Sequence, residues 1–168
     1  YLLCGHNNGT YLIKDDTADL ISTFPGTWDI KRIEGQPNLF LQGNYNGISI
    51  LEKKGGDWSY RNKLEGFDIS TRFFEIIGNN KVLVNHEIKG LYSLSIDKGF
   101  RKVKDIETHS QMGYGSSLVK YNNQIIYSSV NGAFIKESGS LSFMPDSILN
   151  RLLINEAGGI SSIALPDK

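Results

Sequence analysis

The chain has one cysteine, Cys4, among 168 residues, so no internal disulfide can form. Cys4 falls on an expected inner strand, where a small apolar side chain suits packing, and is read as structural. Charge of one sign is lacking too: 18 basic residues balance 18 acidic ones. A neutral chain has no broad basic field of the kind that non-specific nucleic-acid binding needs, so no nucleic-acid contact is expected of this segment. No apolar run approaches the roughly 20 residues of a membrane-spanning helix, and no basic-then-apolar signal opens the chain. Motifs with their own mechanism are also missing: there is no phosphate-cradling glycine loop, no nucleophile elbow and no zinc helix. The segment is therefore expected not to be an enzyme and to carry no cofactor.

What is present is a core-forming composition, 39% hydrophobic and 21% charged, ordinary for a folded domain. It is arranged as a repeat. Leu39-Phe40-Leu41-Gln42-Gly43-Asn44-Tyr45-Asn46-Gly47-Ile48-Ser49-Ile50-Leu51 reads as strand, Asn-Gly turn, strand. Leu2 to Ile13 is its closest copy, and Val82 to Tyr92 and Ile125 to Phe134 are weaker ones. The turn glycines Gly9, Gly47, Gly90 and Gly132 stand 38 to 43 residues apart, the period of a four-stranded propeller blade. Counting back from them aligns Leu2, Phe40, Leu83 and Ile125, followed by Leu3, Leu41, Val84 and Ile126, all apolar.

The expected fold is thus all-β, a β-propeller of four-stranded antiparallel blades labelled A to D from the inside out. The hairpins fall near 1–16, 38–54, 81–97 and 124–137 of a single domain or propeller fragment spanning 1–168. The chain opens in strand B of one blade with no methionine, and Ile160 to Ala164 reads as strand A of another. That gives about four blades, expected to form an arc of a larger ring, with any targeting segment outside it. The outer strand of the last blade, within Leu141 to Ile154, is irregular in pattern.

Strand direction alternates within a blade, so the B-to-C turns and the D-to-A connections share one face of the ring. That face receives His6, Asn7, Asn44, Tyr45, His86 and Glu87 from turns, and Trp28, Asp68, Arg72, His109, Gln111 and Tyr114 from connections. Aromatic platforms with amide, carboxylate and cationic neighbours suit a sugar, whose CH faces stack on rings while its hydroxyls hydrogen-bond. The candidate ligand-binding set is Trp28, Tyr45, Arg72, His86, Glu87, His6, Asn44, His109 and Tyr114. Plainer readings fit the same residues: Asn is what a type I′ turn asks for, Trp28 and Tyr45 suit packing between blades, and single histidines suit surface positions. The histidines with Glu87 could ligate a metal, yet no short ligand spacing joins them, and no metal is expected.

The Leu39 to Ile50 unit resembles the repeat of bacterial two-component-regulator propellers: apolar, aromatic, apolar, Gly, turn residues, Gly, apolar. Gly43 and Gly47 match both of its glycines, as do Gly5 and Gly9, while His86 and Ser128 depart at the first. Gly115 to Tyr127 and Leu149 to Glu156 are similar to the sensor propellers of membrane-anchored regulators of that group. The resemblance implies a periplasmic, extracytoplasmic sensor that binds a glycan-derived or other small polar ligand, with homodimerisation possible. In the intact protein a β-sandwich, one membrane span and a histidine kinase or helix-turn-helix output would follow, and membrane anchoring would come only from those parts. Two alternatives stay open: a non-catalytic protein-interaction scaffold, and a propeller glycosidase or lyase.

Overall fold

A computed structural model describes residues 2–109 and 114–153. The chain forms four small antiparallel sheets in succession, the blades of a β-propeller. The first is β1 (Leu2–His6), β2 (Gly9–Lys14) and β3 (Thr17–Ser22). The second is β4 (Asp29–Arg32), β5 (Leu39–Asn44), β6 (Gly47–Lys54) and β7 (Asp57–Lys63). The third is β8 (Phe73–Gly78), β9 (Lys81–His86), β10 (Gly90–Ile96) and β11 (Val103–His109). The fourth is β12 (Ser117–Tyr121), β13 (Gln124–Ser129), β14 (Gly132–Lys136) and β15 (Phe143–Pro145), after which comes helix α1 (Ser147–Leu153). Ile160 to Ala164, expected as a further strand A, and Gln111 lie outside the described residues.

Two corrections to the sequence reading have local causes. The irregular outer strand of the fourth blade is only three residues long, because Pro145 has no N–H for a ladder, and Asp146 then caps a helix by accepting the Leu149 amide at 2.7 Å. In the third blade His86 pairs with Gly90, enclosing three turn residues, whereas Asn44 pairs with Gly47 around two. Counting back from Gly90 is therefore one residue out. Leu83 belongs with Leu3, Leu41 and Ile126, each of which pairs three positions after its turn glycine, and Asn85 rather than His86 stands at the first-glycine position.

The two glycines of the repeat are explained by one crossing. Each D-to-A connection runs over the hairpin it has just left: Gly26 and Thr27 donate to the Asn7 and His6 carbonyls at 2.9 and 3.2 Å, and Thr71 donates to that of Asn44 at 2.9 Å. A Cβ on Gly43 would collide with the Thr71 carbonyl, and one on Gly47, itself at φ +96°, with that of Phe67. The third blade solves the crossing differently. Its Asn85 side chain donates to Ser116 Oγ of the next connection at 3.0 Å.

Alternation along each strand directs one set of side chains to the preceding blade and the other to the next. Leu41, Ile48, Ile50 and Leu64 meet Phe74, Val82, Val84 and Leu94 between the second and third blades, while Leu83 and Leu91 meet Leu118 and Tyr127 between the third and fourth. Near the axis Glu75, 4% exposed, ties three blades: its Oε1 accepts from Lys31 Nζ of the second blade at 3.1 Å and from the Lys120 amide of the fourth at 2.9 Å. Burial pushes its carboxyl above the ordinary range, against the pull of Lys31.

Candidate functional site

The connection after β3 carries Trp28 between two blades. Its amide donates to the Gly43 carbonyl at 2.9 Å, which fixes the backbone, while its ring stays 46% exposed. Tyr45, at the tip of the β5–β6 turn, meets that ring edge-on at 5.3 Å between centroids, and its hydroxyl donates to Asn7 Oδ1 at 2.5 Å. Gly26, at φ +72°, is what lets the Tyr45 ring lie against the connection, because a Cβ there would strike the ring itself. Neither Gly26 nor the Asn7 anchor stood out from the sequence as a support for an aromatic platform. The one signal was that Asn7 shares the face.

From the next connection Arg72 reaches toward the same rings. Its guanidinium carbon lies 5.2 Å from the centre of the Trp28 ring and 5.0 Å from that of Phe73, and Nη1 donates to Glu87 Oε1 at 2.9 Å. Stacking on two rings holds a planar cation at modest cost in solvent exposure. Glu87 sits on the three-residue β9–β10 turn, whose extra residue brings it within reach of Arg72. Trp28, Ser70, Arg72, Asn85, His86, Glu87 and Ile88 line a cavity of about 150 Å³. Aromatic, cationic, anionic and imidazole groups thus converge from two connections and one hairpin.

His86 has a structural duty there. Its Nδ1 accepts from the Ile88 and Lys89 amides, both at 3.2 Å, which leaves Nε2–H as the donor the neutral ring can offer. Desolvation, with Lys89 nearby, holds its pKa below the ordinary imidazole value. His6 does the same for the first hairpin, its Nδ1 accepting the Asn8 amide at 3.2 Å. Turn capping therefore accounts for two of the three histidines on this face.

The remaining candidates do not join the cluster. Asn44 is fully buried, and its side chain is engaged with Thr27 and Ser49 at 3.0 and 2.7 Å, so it is not available to a ligand. His6 lies on the first hairpin, His109 ends β11 opposite Leu91, and Tyr114, 71% exposed, belongs to the connection into the fourth blade. None of these lines the Arg72 cavity. Asp68 pairs with Lys63. Among the described residues no three of His, Cys, Asp and Glu converge as a metal site would require, and no helix is long and apolar enough to cross a membrane. Comparison of the chain with protein-family models, with curated proteins and with solved structures finds no match to any of them.

Proposed function

We propose that this propeller is a non-catalytic ligand-sensing module of a bacterial signal-transduction or transcriptional regulator. In this reading it binds a glycan-derived or other small polar ligand at Trp28, Tyr45, Arg72, His86 and Glu87. The observation that carries the reading is the convergence of Trp28, Arg72, His86 and Glu87, drawn from positions 28 to 87 of the chain, around one open cavity, with the Tyr45 ring set against that of Trp28. The exposed Trp28 ring offers a stacking surface, Arg72 and His86 Nε2–H offer donors, and Glu87 accepts. This is the mixture that a polyhydroxylated ligand uses. Placement in the periplasm, and output through a kinase or helix-turn-helix beyond this segment, rest on the repeat's resemblance to two-component-regulator propellers.

The test is a panel of oligosaccharides screened by thermal shift, followed by titration of any hit. Trp28→Ala and Arg72→Ala are each expected to weaken binding at least about tenfold, a loss of roughly 1.4 kcal/mol. A hit unchanged by both substitutions overturns the site. A hit lost on Tyr114→Ala instead places recognition at the connection into the fourth blade.

A further inference from the structure

The cavity at Arg72 has an excess of hydrogen-bond donors. Arg72 spends one N–H on Glu87, from Nη1 at 2.9 Å, and among the described residues Nε and Nη2 have no partner. Those two nitrogens form one edge of the guanidinium, with parallel N–H groups that match the two oxygens of a carboxylate. The edge is held in place. The guanidinium carbon lies 5.2 Å from the centre of the Trp28 ring and 5.0 Å from that of Phe73, and Glu87 fixes the opposite corner.

The other lining groups add to the excess. His86 Nδ1 is taken by the Ile88 and Lys89 amides, which leaves Nε2–H as a donor, and the Asn85 side chain is engaged with Ser116 at 3.0 Å. Glu87 is the one carboxylate among the lining residues, and Arg72 already holds it. Lys89 lies close enough to His86 to act on its charge, so the cavity and its border carry Arg72 and Lys89 against Glu87. A neutral polyol offers donors and acceptors alike, whereas a carboxylate only accepts. The volume, about 150 Å³, is below the roughly 300–1,000 Å³ of a drug-sized site and suits one ring or one end of a chain.

On the strength of the ligand site proposed above, we infer that what fills it is anchored by a carboxylate, seated side-on across Arg72 Nε–H and Nη2–H. Two kinds of small molecule carry that group with hydroxyls beside it: a uronic acid unit, whose ring also stacks on Trp28, and an open-chain sugar acid. Glu87 acts on such a ligand in two ways. It orients the guanidinium, and its own charge repels the incoming one. Glu87→Gln keeps an oxygen for Nη1 and removes the repulsion.

Trp28 is 46% exposed and Trp58 9%, so quenching of tryptophan fluorescence by added solutes reports mainly on Trp28. The probes are the methyl glycosides of glucuronic and galacturonic acid, those of glucose and galactose, and the open-chain acids gluconate and galactonate. At least one acid is expected to bind about tenfold or more tighter than the neutral glycoside of the same configuration. Arg72→Lys keeps the charge without the paired donors and should erase most of that difference, while Glu87→Gln should tighten the acid about threefold. A uronide that binds above the aldonates assigns the carboxylate to a ring, and the reverse order assigns it to an open chain. A preference for acids that survives Arg72→Lys, or weaker acid binding in Glu87→Gln, overturns the seat at Arg72. Neutral glycosides that bind as well as the acids overturn the carboxylate; loss of that binding on Trp28→Ala leaves the site standing, and its persistence removes the site as well. No quenching by any probe at millimolar concentration overturns the carboxylate and the site together.

Discussion

The same strand position meets two different solutions at neighbouring blade interfaces. Gln42 of β5 faces the first blade, and its topological counterpart Val84 of β9 faces the second; both are fully buried. Around Val84 the interface is apolar, with Leu41, Ile48, Ile50, Phe67 and Phe74. Around Gln42 it is a closed hydrogen-bond circuit. Thr27 pairs with Thr10 at 2.9 Å, Thr10 donates to Gln42 Oε1 at 2.5 Å, and Gln42 Nε2 donates to Ser49 Oγ at 3.1 Å. Ser49 then donates to Asn44 Oδ1 at 2.7 Å, and Asn44 Nδ2 returns to Thr27 Oγ1 at 3.0 Å. With Thr27 as donor to Thr10, every member donates once and accepts once around the circuit. Identical backbone topology therefore leaves the means of blade adhesion free. The apolar interface gains from area removed from water, while the polar one fixes the relative position of two sheets, because its partners fit at one registration only.

If that contrast is right, deletions at the two interfaces differ in size and kind. The largest effect is expected from Phe74→Ala, which removes a ring that is 1% exposed at the centre of the apolar cluster and also underlies Lys31 at 5.5 Å. A loss of about 4 kcal/mol by denaturant unfolding is expected, from transfer and cavity costs together. A loss below about 1 kcal/mol would mean that the second and third blades do not depend on this cluster. Gln42→Ala is expected to cost about 2 kcal/mol, mostly because Thr10 and Ser49 lose partners in a dry site. The sharper signature is coupling. Combined with Thr10→Val it should cost well short of the sum of the two single changes, since each alone already breaks the circuit. Additive losses would deny that the circuit acts as a unit.

The contrast also explains which parts of the molecule were legible in the sequence. Blade number, hairpin positions and the face shared by Trp28, Arg72 and Glu87 follow from periodicity and strand alternation, which are local or topological. The polar circuit was not legible, because Thr10, Thr27, Gln42, Asn44 and Ser49 read singly as turn or surface residues and acquire their meaning only when two sheets stack. Asn44 was expected at the ligand face for this reason, and it points instead into the interface. The one-residue register error at His86 has a similar origin: turn length is set by pairing across the hairpin, and Lys-Gly at positions 89 and 90 carries no signal for the extra residue. The helix after β15 was in principle readable from Pro145 followed by Asp146, a strand stop and a helix cap, but a repeat pattern invites a strand there.

The smallest expected effect returns to the pair Asn44 and His86, which occupy corresponding positions at the two interfaces. Asn44 joins a polar circuit. His86 has no such circuit to join and turns back on its own hairpin, where Nδ1 accepts two amides. Protonation would put a hydrogen on Nδ1 and break that cap, and desolvation already holds the folded-state pKa below the unfolded value of about 6.5. The folded state thus binds fewer protons than the unfolded one in this range. The contribution of His86 is intact above about pH 6.5 and is lost as pH falls through that value toward the depressed folded pKa. The side chain is partly solvated, so the loss should stay under about 1 kcal/mol. The measurement is the difference in unfolding free energy between the parent chain and His86→Asn from pH 7.5 to 5.5, which cancels the titration of other groups. The parent is expected to lose stability relative to the variant on acidification. Parallel curves would mean that the imidazole cap does not support the three-residue turn that brings Glu87 within reach of Arg72.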